Sequence, residues 1–472
     1  LGVLIGQQYM NPNKRVLPVI AAVVVIGLAW RLDLVTSIGV LLFLLPYPKG
    51  TAFGTTNLML SLIIGILWLV NASMRRAAPP RRTPVDGPLA GLVILYLCSF
   101  YNIHDPEVFA AAMRNTEVFL GSVLGYYIVV SNVNTTNALQ RVHLFQVVSA
   151  VSVYLFAIYE LRHPGAILAG GWIQLTGSTH VGAGESFSRR NVRVGSTFGD
   201  YELLSEFSVM CILLGIFLLA RARTQAQRLA YTGFLLLSVF IMFTTVTRGA
   251  IVSLGVGLAV MLWTTRRRVK FVPLVIGVAV TAALVLGMNF YVSHFTTSGD
   301  LFARLSETTF QNGVPDSRIG AWVPALERAM KHPWIGQGPY YAPMFGFGFV
   351  WPHNVYLFYA NIVGFVGLGF FLLVLVALAR ATRPDVDSLR HPDYARAYLV
   401  VAQAQFVAFV VNEFKIDYIR NSIYQTVVWA MFSVWVAAHF IARNPAARAA
   451  STVSAVVPPA PLPRATPVAA AR

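Results

Sequence analysis

Residues 355–379 read VYLFYANIVGFVGLGFFLLVLVALA, a run of 25 residues without a charged side chain. As a helix, such a run crosses the roughly 30 Å hydrocarbon core of a bilayer, which takes about 17 to 25 residues. Twelve further apolar segments accompany it, several of them short for a bilayer. They cover approximately 16–30, 34–45, 58–70, 89–101, 118–130, 142–159, 203–220, 229–246, 250–263, 271–291, 398–411 and 423–441. The pattern predicts an all-α polytopic integral membrane protein with about 12 or 13 transmembrane helices.

The composition of the chain agrees with a membrane protein. It is 56% hydrophobic and 12% charged, with a mean hydropathy of +0.64, whereas soluble domains carry about 25% charged residues. The net charge of +17 does not indicate nucleic acid binding, because the arginines lie between apolar segments rather than on one amphipathic face. Cys98 and Cys211 both lie inside apolar segments, so no disulfide or thiol chemistry is expected.

The distribution of Lys and Arg between the segments predicts the orientation of the helices. Positively charged loops stay in the cytoplasm, and here they occur at 75–82, 221–228, 266–270 and 380–396, and after the last segment. Loops 161–202 and 292–354 and the turn at 247–249 therefore lie on the opposite, periplasmic side. The orientation of the first two apolar segments stays open. The proline-rich residues 442–472 are expected to form a disordered cytoplasmic tail after a membrane domain at 1–441.

The periplasmic loop 292–354 contains a predicted amphipathic helix. Asp316 and Ser317 are typical helix starts, and apolar residues then follow at helical spacing. These are Ile319, Trp322, Val323, Leu326 and Met330. A helix of this kind lies on the membrane surface, where Arg318 in its first turn would meet either lipid headgroups or a substrate phosphate.

Several short motifs follow one another around this helix. They are Thr247-Arg248-Gly249, Ser317-Arg318-x-x-x-Trp322, His332-Pro333-x-x-Gly336-x-Gly338, His353-Asn354-x-Tyr356-Leu357, and Gly364 and Gly367 in the next apolar segment. In this order they resemble the core of the O-antigen ligase and polymerase superfamily. Residues 193–198 resemble a further stretch of that family, which often continues with Pro-Asn where this chain has Asp200.

The resemblance implies a GT-C-like, metal-independent glycosyltransferase without cofactors in the inner membrane of a Gram-negative bacterium. It would transfer a glycan from undecaprenyl pyrophosphate to a hydroxyl of the lipid A core at the periplasmic face. An O-antigen or exopolysaccharide polymerase and a protein O-oligosaccharyltransferase are alternatives within the same class. A transporter of polyprenyl-linked substrates is an alternative from a different class, although the candidate residues cluster on one side rather than at the membrane midplane.

Arg248, Arg318 and His353 are the predicted catalytic residues. Guanidinium groups can stabilise the negative charge that grows on a departing pyrophosphate. An arginine between two apolar segments, such as Arg248, is functional by default, although it can also satisfy the carbonyls at a helix end. A neutral imidazole can deprotonate the acceptor hydroxyl or orient it, and both roles of His353 stay open.

A second group of residues is predicted to bind substrate or lipid. It consists of Arg189, Arg190, Arg193, Trp322, Gly336, Gly338, Asn354 and Tyr356. Asn354 would hold His353 or cap the following helix, and the glycines would form a tight turn, with or without substrate. Glu185, Asp200, Glu202 and Glu206 are alternative bases, with Asp200 and Glu206 ranked below His353. The outer histidines lack metal-ligand spacing, so no metal site is expected.

Overall fold

The computed structural model describes most of the chain between residues 33 and 444. The described ranges are 33–47, 50–51, 54–74, 77–163, 166–169, 172–175, 194–245, 247–265, 286–287, 290, 310–311, 314–315, 317–340 and 352–444. The predicted segments 16–30 and most of 271–291, the arginines Arg189, Arg190 and Arg193, and nearly all of the predicted tail lie outside these residues.

Helices dominate the described part of the chain. They are α1 (Leu34–Leu44), α2 (Thr56–Ser73), α3 (Asp86–Cys98), α4 (Pro106–Asn132), α5 (Thr136–Arg162), α6 (Tyr201–Arg221), α7 (Gln225–Thr244), α8 (Arg248–Thr265), α9 (Ser317–Lys331), α10 (Val355–Thr382), α11 (Tyr394–Asn412) and α12 (Ser422–Arg443). Three antiparallel pairs of short strands add β1 (Gly50–Thr51) with β2 (Gly54–Thr55), β3 (Ala166–Ala169) with β4 (Trp172–Leu175), and β5 (Phe310–Gln311) with β6 (Val314–Pro315).

Seven of these helices are long and apolar enough to cross a membrane, namely α5, α6, α7, α8, α10, α11 and α12, and α1 and part of α2 are shorter apolar helices. The predicted all-α polytopic fold is therefore confirmed. The number of 12 or 13 spans stays a prediction, because two of the predicted segments lie outside the described residues.

The helix starts at one end of the bundle are fixed by polar caps. Asp200, Asn354 and Asn421 precede α6, α10 and α12, and each side chain accepts hydrogen bonds from two backbone N–H groups of the first turn. Such caps satisfy donors that have no partner within the helix. All three caps lie at the same end of the bundle and bring several polar side chains there. We call this end the polar end.

The opposite end of the bundle carries the basic loops. The Arg221 side chain donates to the His391 carbonyl, and its guanidinium lies 5.4 Å from the centre of the Tyr394 ring. The guanidinium of Arg81 lies 4.0 Å from the centre of the Phe440 ring. Three of the basic regions seen in the sequence are thus anchored beside the cytoplasmic ends predicted for α6, α11 and α12. The described helices alternate as the charge distribution predicts.

The predicted amphipathic helix is present as α9, and it packs on the bundle through small residues. Ala321, Ala325 and Ala329 are buried, and the Asn361 side chain of α10 donates to the Ala325 carbonyl at 3.0 Å. Three of the larger apolar residues of α9 lie on its exposed side. These are Val323, Leu326 and Met330, which suits a helix at a membrane surface.

Helix α10 is interrupted at Gly364, where φ is +72°. The segment after α9 fills this break with backbone hydrogen bonds. The Phe365 N–H donates to the Pro333 carbonyl at 2.7 Å, and the Gln337 N–H donates to the Asn361 carbonyl at 2.8 Å. These hydrogen bonds satisfy backbone groups that the break would otherwise leave without partners. The same hydrogen bonds hold residues 333–338 against the polar end.

Candidate functional site

A cluster of four charged or polar side chains lies at the polar end and includes His353. One guanidinium nitrogen of Arg420, Nη1, lies 2.7 Å from Nδ1 of His353. The other, Nη2, donates to Asp200 Oδ1 and Glu202 Oε2, both at 2.8 Å. The exposed fraction of the side chain is 12% for Arg420, 5% for Glu202 and 36% for His353. His353 is therefore the member of the cluster that faces outward most.

Arg420 is held by the loop between α11 and α12. Its backbone N–H donates to Asp417 Oδ1 at 3.2 Å, and the Tyr418 N–H donates to Glu413 Oε2 at 3.2 Å. Burial acts to lower the pKa of Arg420, but the carboxylates of Asp200, Glu202 and Asp417 outweigh burial and raise that pKa above its ordinary value. Arg420 is thus a permanent cation in this cluster.

The backbone around His353 is fixed on both sides. His353 has φ of +46°, in the left-handed region that few residues other than glycine adopt. The Trp322 indole donates to the Pro352 carbonyl at 2.9 Å, and the Val355 N–H donates to the Glu413 carbonyl at 3.1 Å. These contacts stabilise a strained residue, and strained residues of this kind cluster at functional sites.

Asn354 caps α10, which is one of its two predicted roles. Its Oδ1 accepts from the Tyr356 and Leu357 N–H groups, both at 3.0 Å, and its Nδ2 donates to the Phe414 carbonyl at 3.3 Å. The same side chain therefore starts the helix and ties its start to the loop that carries Arg420.

Replacing Asn354 separates these two contributions. Asn354→Ala should lower the stability of the protein by about 1 to 2 kcal/mol, because it removes the cap of α10. Asn354→Ser keeps a neutral capping oxygen and loses the donor to Phe414, so its loss should be clearly smaller. The melting temperatures of the two purified variants in one detergent test this prediction, and equal losses would contradict it.

Two further carboxyl groups lie deeper in the bundle. Glu206 and Glu413 have no exposed surface, and their carboxyl groups lie next to each other. Burial raises the pKa of Glu413 well above its usual range, and the nearby Glu206 and Asp417 carboxyls raise it further. Glu206 is one of the predicted alternative bases, and it has no exposed surface through which to meet an acceptor hydroxyl in this arrangement, so that role stays a prediction. Asp200, which is 27% exposed, is better placed.

The two predicted catalytic arginines lie in the first turns of helices. Arg248 is the exposed first residue of α8, and a Cβ added at the next residue, Gly249, would lie 3.3 Å from Asn412 Oδ1 at the end of α11. Arg318 is in the first turn of α9, one turn before Trp322. Both backbones are therefore near the elements that hold His353 and Arg420. Their contact with a pyrophosphate stays a prediction.

The remaining predicted binding residues have packing roles in the structure. The Tyr356 hydroxyl donates to the Val410 carbonyl at 3.0 Å, and its ring centre lies 4.6 Å from that of Phe414. Gly336 and Gly338 have φ of +72° and +109°, and both are buried in the turn that fills the break in α10. Contact of these three residues with substrate stays a prediction.

Sequence reasoning missed Arg420, Glu413 and Asp417. All three lie between the last two apolar segments, in a loop that the charge distribution already places on the side of His353. Four charged residues, Glu413, Lys415, Asp417 and Arg420, lie within eight positions of this loop, and this density was a usable signal. Among the described residues, no three His, Cys, Asp or Glu side chains are grouped to hold a metal ion. Metal independence itself stays a prediction.

Comparison with known proteins bears on this site. Residues 233–372 match a family model described as O-antigen ligase. The matched segment contains Arg248, Arg318 and His353, whereas Asp200 and Arg420 lie outside it. A search of the curated proteins finds no match. The family match supports an enzyme of the O-antigen ligase or polymerase type in a multi-pass membrane protein. The match covers less than half of the chain, and over residues 233–372 this protein is similar to the O-antigen ligase family.

Proposed function

We propose that this protein is an O-antigen ligase. It transfers a glycan from undecaprenyl pyrophosphate to a hydroxyl of the lipid A core oligosaccharide at the periplasmic face of the inner membrane. The observation that carries the proposal is that the family match encloses His353, whose ring projects from a polar cluster at one end of an apolar helix bundle.

The position of this cluster suits a lipid-linked donor. The polar end is opposite the basic loops around Arg221 and Arg81, so the positive-inside rule assigns it to the periplasm. The exposed apolar side of α9 would lie in the membrane surface nearby. The polyprenyl chain can then stay in the bilayer while its pyrophosphate reaches Arg248 and Arg318. A transporter would require a site near the midplane.

The reaction moves charge toward the arginines. The bond between the anomeric carbon and the pyrophosphate oxygen breaks, and its electron pair stays on the pyrophosphate. The acceptor oxygen bonds to the anomeric carbon and loses its proton. Fixed guanidinium groups stabilise the growing negative charge more strongly at a desolvated site than they would in water. His353 either takes the acceptor proton or donates a hydrogen bond, and these roles require the ring proton on different nitrogens.

Reconstituted protein tests the function and the role of Arg248 together. With undecaprenyl pyrophosphate glycan and lipid A core, wild type should shift the acceptor on a gel. Arg248→Gln should lower the rate by about 10²-fold or more, because it removes a cation that stabilises the leaving group. Arg228→Gln is the matched control, since Arg228 is an exposed arginine in the first turn of α7, at the basic end. It should leave the rate unchanged.

Three outcomes distinguish the alternatives. Lengthening of the lipid-linked glycan without transfer to lipid A core would identify a polymerase instead. Transfer to an added acceptor protein would identify a protein O-oligosaccharyltransferase. Movement of the lipid-linked glycan across the vesicle membrane without transfer to any acceptor would identify a transporter. Equal rates for Arg248→Gln and Arg228→Gln would exclude Arg248 from the site, whichever acceptor is used.

A further inference from the structure

The contact between Arg420 and His353 determines where the imidazole proton lies. A guanidinium group has only N–H donors and no acceptor. Because Nη1 of Arg420 lies 2.7 Å from Nδ1 of His353, Nδ1 must be the acceptor. A neutral imidazole carries one proton, so that proton must be on Nε2. The arrangement thus selects one tautomer.

Neither residue can easily leave this arrangement. The second guanidinium nitrogen of Arg420 is held by Asp200 and Glu202 at 2.8 Å, and these carboxylates also keep the arginine charged. The histidine backbone is fixed through Pro352, whose carbonyl accepts from Trp322, and through the capping contacts of Asn354. Rotation of the ring would give up a charge-assisted hydrogen bond, a stronger kind than a bond between neutral groups.

A doubly protonated ring is also disfavoured in this position. A second proton on Nδ1 would point at the Arg420 guanidinium, which offers only another donor. Among the described residues, the nearest carboxylate oxygen to Nδ1 is Oε2 of Glu202, at 3.7 Å, and it already accepts from Arg420. The ring is therefore held neutral, with its donor on Nε2.

We propose that Arg420 is a positioning residue that fixes the Nε2–H tautomer of His353, so that His353 meets an anionic oxygen of the substrate pyrophosphate as a hydrogen-bond donor. The inference rests on the proposed function for the identity of that oxygen. His353 then neither gains nor loses a proton during transfer. The proton of the acceptor hydroxyl passes to the released pyrophosphate, which takes the electron pair of the broken bond.

Nitrogen-15 NMR of the histidine rings tests this inference without any assay of transfer. The full chain would be labelled on histidine, placed in lipid nanodiscs at neutral pH and compared with His353→Gln, which identifies the His353 signals among nine histidines. Wild type should show Nε2 protonated and Nδ1 as an acceptor. Arg420→Lys should keep this signature, because the ammonium group also offers only donors.

Two variants separate tautomer selection from general damage. In Arg420→Met the single Nε2–H signature should be lost, because Glu202 becomes the nearest partner of Nδ1 and accepts a hydrogen bond from a protonated Nδ1. In Glu202→Gln the signature should persist, because Arg420 is unchanged. Transfer should fall by about 10²-fold in Arg420→Met and be largely restored in Arg420→Lys.

The wild-type spectrum alone can overturn the inference. A His353 ring with its proton on Nδ1, or on both nitrogens, would do so even if Arg420→Met fails to fold. An unchanged signature in folded Arg420→Met would do so as well. If wild type shows the Nε2–H tautomer but transfers glycan to no acceptor, the proposed function fails while the assignment of the tautomer stands.

Discussion

Gly336→Ala is expected to destabilise the protein by about 3 kcal/mol. Gly336 has φ of +72°, and a side chain in the left-handed region costs about 1 to 2 kcal/mol. The added Cβ would also lie 2.3 Å from the carbonyl carbon of Ile362, and overpacking costs about 1 to 3 kcal/mol more. A large drop in the melting temperature of the purified variant in detergent would show the effect.

The backbone around Gly336 cannot relax cheaply. The neighbouring Gln337 and Gly338 N–H groups donate to carbonyls of α10 at 2.8 and 3.1 Å, so a shift would break the pairing that fills the break at Gly364. Gly320→Ala is the matched control. Gly320 lies in α9 with nothing within 4 Å of an added Cβ, and alanine is favoured over glycine within helices. Similar melting temperatures for the two variants would refute the argument.

The sequence predicted the helices well because membrane spans depend on a local property. The segment predicted at 355–379 is found as Val355–Thr382, since the length of an apolar run follows from the thickness of the bilayer. The break at Gly364 did not follow from the same reasoning. It depends on backbone hydrogen bonds from residues 333–338, a contact between distant parts of the chain that hydropathy does not encode.

In the candidate site, too, the residues marked by local sequence patterns were predicted, and those brought in by contacts between distant parts of the chain were missed. His353 was found because short motifs surround it, and its neighbour Asn354 was expected either to hold His353 or to cap the following helix. Arg420 was missed although it touches His353, because the two are 67 positions apart and Asp200 is 220 positions from Arg420. No periodicity links such residues. Only the alternation of the helices brings their loops to the same side. Alternation predicts on which side of the membrane a loop lies, but it does not predict which residues of two loops are in contact.

Arg420→Met should lower the free energy of unfolding by about 3 to 5 kcal/mol, the usual cost of removing one partner from a buried ion pair. Methionine keeps much of the volume and removes the charge. Glu202, which is 5% exposed, and Asp200 would then be left with uncompensated carboxylates. The measurement is the melting temperature of the variant against that of wild type in the same detergent. A variant as stable as wild type would mean that this ion pair has no structural role.

The effect of Glu202→Gln should reverse its sign between the two backgrounds. In wild type it removes a charged acceptor from Arg420, so it should destabilise the protein. In Arg420→Met it removes a buried charge that has lost its partner, so it should raise the melting temperature of the single variant. The double-mutant cycle isolates this coupling, which for directly contacting residues amounts to about 0.5 to 3 kcal/mol. Losses that simply add would mean that Arg420 stabilises the bundle by packing alone. A reversal would mean that two acidic side chains at the start of α6 are tolerated because Arg420, from the loop before α12, neutralises them beside His353.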